Sequence, residues 1–78
     1  MNLAERIEMK PDVMLGKPVI RGTRVPVELI LHRISEGTTG EDLLASYPHL
    51  TRDDIRAAVA FAADTIANEE IVEIAHSE

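Results

Sequence analysis

The chain has 78 residues, a net charge of −6 and no cysteine. This length has room for one domain with one modest core, and the lack of cysteine excludes disulfides, thiolate nucleophiles and sulfur-rich zinc sites. A core of this size seldom supplies more than about 3–5 kcal/mol, so a partner subunit is the expected further source of stability.

The negative charge is concentrated in the second half of the chain. Residues 1–37 carry six basic and five acidic side chains, whereas residues 38–78 carry two basic and nine acidic ones. Because duplex binding draws strength from Lys and Arg that neutralise phosphates, we expect any DNA contact to be local and weak. The charged first ten residues predict neither a signal peptide nor a membrane span, so we expect a cytoplasmic protein without membrane association.

Residues 5–26 predict short strands and a turn. From residue 17 to residue 27, β-branched residues alternate with polar ones around Gly22, which predicts a hairpin or two short strands. Pro18 and Pro26 lack a backbone donor, so neither is expected in the middle of a central strand. The sheet is therefore expected to be small.

Three helices are predicted next. Their ranges are residues 27–36, 40–47 and 52–67. Thr39 and Thr51 are placed to cap the second and third helices, and Asp54 stands where the acid of a capping box is expected. Gly37 is placed to end the first helix in a left-handed conformation.

The apolar pattern of the third helix predicts which face is buried. One row at helical spacing is expected to face the core, namely Ile55, Ala58, Val59, Ala62 and Ile66. Ala57, Phe61 and Val72 lie well away from this row and are candidates for a homodimer interface. The alternative for Phe61 is packing on the N-terminal hairpin of its own chain. Residues 68–78 form either an acidic tail or an extension of the helix.

Two short-linked helices followed by a longer one have the spacing of a helix-turn-helix core. The expected fold is mainly α, a three-helix helix-turn-helix-like core of homeodomain or winged-helix type with a short N-terminal β hairpin. It forms a single domain over residues 1–78. Ordinary three-helix packing without a nucleic-acid role stays equally open.

The segment GKPVIRGTRVPV, followed by EGTTGEDLLASYPHLTRDDIRAAVAFAAD, resembles the bacterial and archaeal "domain of unknown function 433" family. The similarity runs from about residue 7 to residue 64. The residues that carry it most specifically are Gly16, Pro18, Gly22, Thr23 and Arg24. The resemblance implies a helix-turn-helix-like fold and the function of a type II antitoxin, whose partner is a PIN-like ribonuclease toxin.

No catalytic, cofactor or metal site is predicted. The histidines His32, His49 and His76 fall in three different elements. The segment GKPVIRGT is not a phosphate loop, because its lysine follows the first glycine and Pro18 removes an amide that a phosphate would need. We therefore expect a protein that is not an enzyme.

Lys17, Arg21 and Arg24 are the candidates for partner binding. Arginine binds carboxylates in bidentate fashion, so we hypothesise that Arg21 or Arg24 reaches the metal-binding acids of a PIN-like nuclease. The alternative is an internal ion pair that holds the hairpin against a helix C-terminus. The sequence favours this alternative for Arg24. For Arg21 it does not choose between partner binding and an internal ion pair.

A DNA-binding regulator, acting on its own gene, is the alternative function. Thr51, Arg52 and Arg56 lie in the first turn of the third helix, the part that enters a major groove in a helix-turn-helix. Asp53 and Asp54 between them oppose a phosphate backbone. The sequence therefore favours a capped, solvated helix start at this position.

Overall fold

The computed structural model describes residues 3–68. Its architecture is mainly helical with a short antiparallel sheet near the N-terminus, which confirms the predicted fold class. The strands are β1 (Ile7–Glu8) and β2 (Val19–Ile20), and the helices are α1 (Val27–Ser35), α2 (Gly40–Ser46) and α3 (Arg52–Ala67). Each helix lies within a residue or two of its predicted bounds.

β2 is paired on both of its edges. It pairs antiparallel with β1, so that Ile7 stands opposite Ile20. On its other side, Val19 forms an isolated bridge with Pro26 as the chain returns toward α1. The segment 17–27 therefore folds back on itself as predicted, and the N-terminal segment supplies the neighbouring strand.

The helix ends form as the sequence predicts. The hydroxyl of Thr39 accepts the N–H of Asp42 at 3.1 Å, and that of Thr51 accepts the N–H of Asp54 at 3.1 Å. The Asp54 carboxylate accepts the N–H of Thr51 at 3.0 Å in return, which completes the predicted capping box. Gly37 ends α1 with a φ of +96°.

One apolar core joins the sheet to all three helices. Its buried members are Ile20, Val27, Ile30, Leu43, Leu50 and Ala58. Because β2 and every helix contribute to this cluster, the hairpin is fixed to the helices by the burial of apolar surface. The turn that follows β2 therefore has a defined position on the domain.

The buried face of α3 differs from the predicted one. Ala57 and Ala58 are 1% and 0% exposed, whereas Val59 and Ile66 are 47% and 58% exposed. The prediction that Val59 and Ile66 face the core is wrong, because the N-terminal 3₁₀ turn (Leu3–Arg6) lies against α3 and selects another face. Helical periodicity shows which residues share a face, but not where a distant segment will dock.

This packing also changes the predicted dimer interface. Ala57 is buried within the chain, so its placement on a free face is wrong. Phe61 is half-buried and packs against the core of its own chain. It borders a small cavity together with Leu3 and Ala4 of the N-terminal turn. Val72 lies outside the described residues.

Arg6 joins the N-terminal turn to the start of α3. Its Nη1 donates to Oδ1 of Asp54 at 3.0 Å, and its Nη2 lies 3.7 Å from Oδ2 of Asp53. The Asp54 side chain is only 9% exposed, so water and salt screen this pair less than a surface pair. One carboxylate therefore caps α3 and anchors the N-terminal segment.

Replacement of Asp54 by alanine is expected to lower the free energy of unfolding by about 3 kcal/mol, because it removes the cap and one partner of a shielded ion pair. Urea denaturation followed by circular dichroism measures this loss. Asp53→Ala is the matched control, since its exposed carboxylate should contribute about 1 kcal/mol or less. Equal losses in the two variants would contradict the role assigned to Asp54.

Phe61→Glu is expected to unfold the chain, because it removes a ring that packs on the core and puts a carboxylate in its place. Loss of the helical circular dichroism signal would show this. Thr65→Glu, at an exposed position of the same helix and away from the side that carries Val59, should melt like the wild type. A folded Phe61→Glu protein would show that the ring is not needed by the core.

Candidate partner-binding site

Arg21 and Arg24 flank a tight turn. Gly22 within it has a φ of +79°, in the left-handed region that glycine adopts without steric cost. The N–H of Thr23 donates to the carbonyl of Ile20 at 3.0 Å, and its hydroxyl donates to the same carbonyl at 2.7 Å. Local hydrogen bonds therefore fix the backbone from which both arginines extend.

Glu8 of β1 holds the tip of this turn. Its Oε2 accepts the N–H of Gly22 at 3.1 Å, and its Oε1 lies 3.8 Å from Nζ of Lys10. A hydrogen bond from a backbone N–H to a carboxylate is stronger than one between neutral groups. The turn is thus tied to the sheet by a side chain as well as by its own backbone.

Arg21 and Arg24 differ from the other basic residues in their pairing. Six of the eight Lys and Arg residues form an ion pair with a carboxylate of the same chain, namely Arg6, Lys10, Lys17, Arg33, Arg52 and Arg56. Among residues 3–68, the side chains of Arg21 and Arg24 have no hydrogen-bonded or ionic partner. The internal ion pair expected for Arg24 is not found within this range.

The three basic candidates do not form one patch. Nζ of Lys17 donates to Oε2 of Glu28 at 3.1 Å, and Lys17 borders a groove between α1 and α3. Arg21 borders a different concavity, together with Glu5. Arg24 borders a third. The structure therefore gives Lys17 an internal partner and leaves the two arginines as the basic candidates.

The cleft beside Arg24 lies between the turn and the connection from α2 to α3. Its volume is about 580 Å³, and most of its surface is apolar. The apolar side chains that line it include Val13, Val25, Tyr47, Pro48 and Leu50. An arginine without a described partner beside such a cleft suits a ligand that presents a carboxylate next to an apolar group.

The candidates for DNA contact all interact with their own chain. The hydroxyl of Thr51 caps α3. Nη2 of Arg52 lies 3.9 Å from Oε2 of Glu41, and Nη1 of Arg56 donates to Oδ1 of Asp53 at 3.3 Å. A phosphate would compete with these carboxylates for the same guanidinium groups.

Within residues 3–68, no group of three His, Asp or Glu side chains is placed to hold a metal ion. His32 lies on α1 and His49 in the connection between α2 and α3, while His76 is outside the described residues. None of the helices in the same range is long and apolar enough to cross a membrane.

Two features of this part of the molecule are not evident from the sequence. Glu8 accepts a hydrogen bond from the N–H of Gly22, which is 14 positions away, and no periodicity links such distant residues. Leu15, in the loop that leads to β2, is 93% exposed. The sequence offers one indication that Leu15 is exposed. It is a large apolar residue directly before Gly16, in a segment with neither helical nor strand periodicity.

Comparison with known proteins places this fold in a family. Residues 7–62 match a family described as a protein of unknown function (DUF433). An uncharacterized protein, y4eO, from Sinorhizobium fredii is 38% identical over 58 residues, which are 74% of this chain and 26% of that protein.

A solved structure shows the same fold. The crystal structure of a DUF433 member protein from Anabaena variabilis at 2.00 Å resolution aligns with a TM-score of 0.75 and 34% identity. The alignment covers 80% of this chain and 61% of the Anabaena chain, so both relatives are longer than the matched domain. From the family match and this structural agreement, the chain belongs to the DUF433 family.

Proposed function

We propose that this domain is a protein-binding module of antitoxin type, and that it inhibits a PIN-like ribonuclease by placing Arg21 and Arg24 against the nuclease's metal-binding carboxylates. The observation that carries the proposal is the pairing of charges. On a chain of net charge −6, these two arginines alone among the eight Lys and Arg residues lack a carboxylate partner within residues 3–68.

The geometry of the turn favours binding through these side chains. A guanidinium group presents a planar set of donors that matches a carboxylate in two parallel hydrogen bonds. Because the turn backbone is held by Thr23 and by Glu8, only the arginine side chains lose freedom when a partner binds. The site is thus largely organised before the partner arrives.

The chemistry of RNA cleavage belongs to the partner in this proposal. The domain acts by occupying the acidic site of the nuclease, and no catalytic step is assigned to its own residues. Its surplus of negative charge supports a protein partner over a nucleic acid, because phosphates would be repelled over much of the chain.

DNA is the less favoured partner for the same reason. Arg52 and Arg56 are near Glu41 and Asp53, and a duplex would have to displace these carboxylates before it gained a phosphate contact. A role in regulation of its own gene therefore has less support than the protein-binding role.

We further propose that a second copy of the chain packs on the outer face of α3. Val59 and Ile66, seven positions apart, lie about two turns apart on one side of the helix, and both are exposed. Together they give a small domain the additional apolar burial that its own core lacks. This pair replaces Ala57 and Phe61 as the candidate homodimer contact.

The double substitution R21A/R24A is expected to weaken nuclease binding about 100-fold, since each arginine would lose a charge-assisted hydrogen bond worth roughly tenfold or more in affinity. The measurement is titration of the purified chain against the product of the adjacent reading frame, which the proposal expects to be a PIN-like nuclease, with RNA cleavage as the second readout. The melting temperature should stay at the wild-type value, because neither side chain has a described partner.

Arg33→Ala is the matched control, because Arg33 is an exposed arginine on α1 whose partner is Glu36. It should bind and inhibit like the wild type. Wild-type affinity in R21A/R24A would overturn the arginine contact. If the wild-type chain neither binds nor inhibits a PIN-like nuclease, the antitoxin function is wrong.

The double substitution V59E/I66E is expected to give a folded monomer, because both positions are exposed in the single chain and carboxylates there would repel across an interface. Multi-angle light scattering over a range of concentrations measures the mass. A monomeric wild type would contradict the dimer, as would a variant that retains a dimeric mass.

A further inference from the structure

Leu15 is the most exposed large apolar side chain within residues 3–68. It is 93% exposed, whereas the next, Met9, is 59% exposed. A single exposed leucine is ordinary on a protein surface. What distinguishes Leu15 is the backbone that presents it.

The backbone around Leu15 lies in the left-handed region for three residues in succession. Met14, Leu15 and Gly16 have φ values of +50°, +58° and +83°. Glycine adopts this region freely, but a side chain with a Cβ is strained there, and residues other than Gly, Asn and Asp seldom occupy it. Two adjacent non-glycine residues therefore hold an unfavourable conformation in an exposed loop.

Hydrogen bonds within the loop maintain this conformation. The N–H of Val13 donates to the carbonyl of Lys10 at 2.9 Å, and the N–H of Gly16 donates to the carbonyl of Val13 at 3.0 Å. The N–H of Lys17 donates to the carbonyl of Met14 at 3.1 Å. The leucine is thus presented by a closed loop with a defined backbone. Such strain is commonly found at binding sites, where the surrounding structure maintains it.

The loop borders the same cleft as the proposed arginine contact. Lys10 and Val13, at the start of the loop, line the cleft beside Arg24. Leu15 follows Val13 by two residues. The loop that carries Leu15 and the turn that carries Arg24 therefore border the same apolar cleft.

We propose that Leu15 is an apolar anchor, which inserts into a hydrophobic pocket of the partner nuclease next to the carboxylates that receive Arg24. This inference rests on the proposed function and adds a second contact to it. The partner surface must combine an apolar pocket with negative charge. That combination complements the loop and the arginine together.

A second copy of this chain is a poorer occupant for the leucine. Leu15 of one copy would enter a groove of the other, such as the groove that Phe61 and Leu31 line. The two copies would then meet through different surfaces, the loop of one and the groove of the other. A contact of this kind repeats from copy to copy and forms open chains unless it closes into a ring.

The test is Leu15→Asn, measured for nuclease affinity and for thermal melting. Asparagine tolerates the left-handed region, so the melting temperature should not fall. The dissociation constant should rise at least tenfold, about the effect of losing one buried leucine side chain. Leu15→Met is the matched control, because it keeps an apolar side chain of similar volume and should bind within about threefold of the wild type.

The outcomes separate the two proposals. If the wild type binds the nuclease and Leu15→Asn binds equally well, the anchor is wrong and the proposed function stands. If the wild type binds no PIN-like nuclease, both fail. Leu15→Gly repeats the test with a residue free to adopt positive φ, and lowered melting temperatures in both variants would overturn the claim of strain. Concentration-dependent oligomers of the wild type that Leu15→Asn abolishes would identify a second copy as the occupant, which also overturns the anchor.

Discussion

The carboxylate of Asp54 holds together two parts of this domain. It accepts the N–H of Thr51 to cap α3, and it accepts a hydrogen bond from Arg6 of the N-terminal turn. Because Arg6 directly precedes β1, this contact also positions the strand that pairs with β2. The carbonyl of Arg6 accepts the N–H of Arg21 at 2.7 Å, so the base of the turn that carries Arg21 and Arg24 adjoins the same residue.

The proposed function depends on how the charges of this small acidic protein are paired. Most basic side chains of this chain form ion pairs with its own carboxylates. Lys17 does so at the surface, and Arg6 does so in a shielded position. Arg21 and Arg24 extend from a backbone fixed by Glu8 and Thr23. A partner with a matching acidic site would therefore find two guanidinium groups on an ordered turn of an otherwise repulsive surface.

Features set by neighbouring residues could be predicted from the sequence. The caps at Thr39 and Thr51 and the left-handed Gly37 are determined within four residues, and the helix bounds followed from them. The buried face of α3 was not predictable, because a segment some 50 residues away selects it. The candidate site was predicted in part: its arginines were identified by type, but the Lys17–Glu28 pair spans 11 positions and only the structure reveals it.

The separation between Arg6 and Asp54 affects how the chain folds and how long it survives. Contacts that link distant residues form after local ones, because the loop between them must first be closed. During synthesis, the N-terminal turn emerges before α3 and cannot dock until α3 has been made. In the finished protein, rupture of this pair would release the turn while the helices persist. Proteases cleave segments that have left the folded structure, so the Arg6–Asp54 pair limits how readily this part of the chain is degraded.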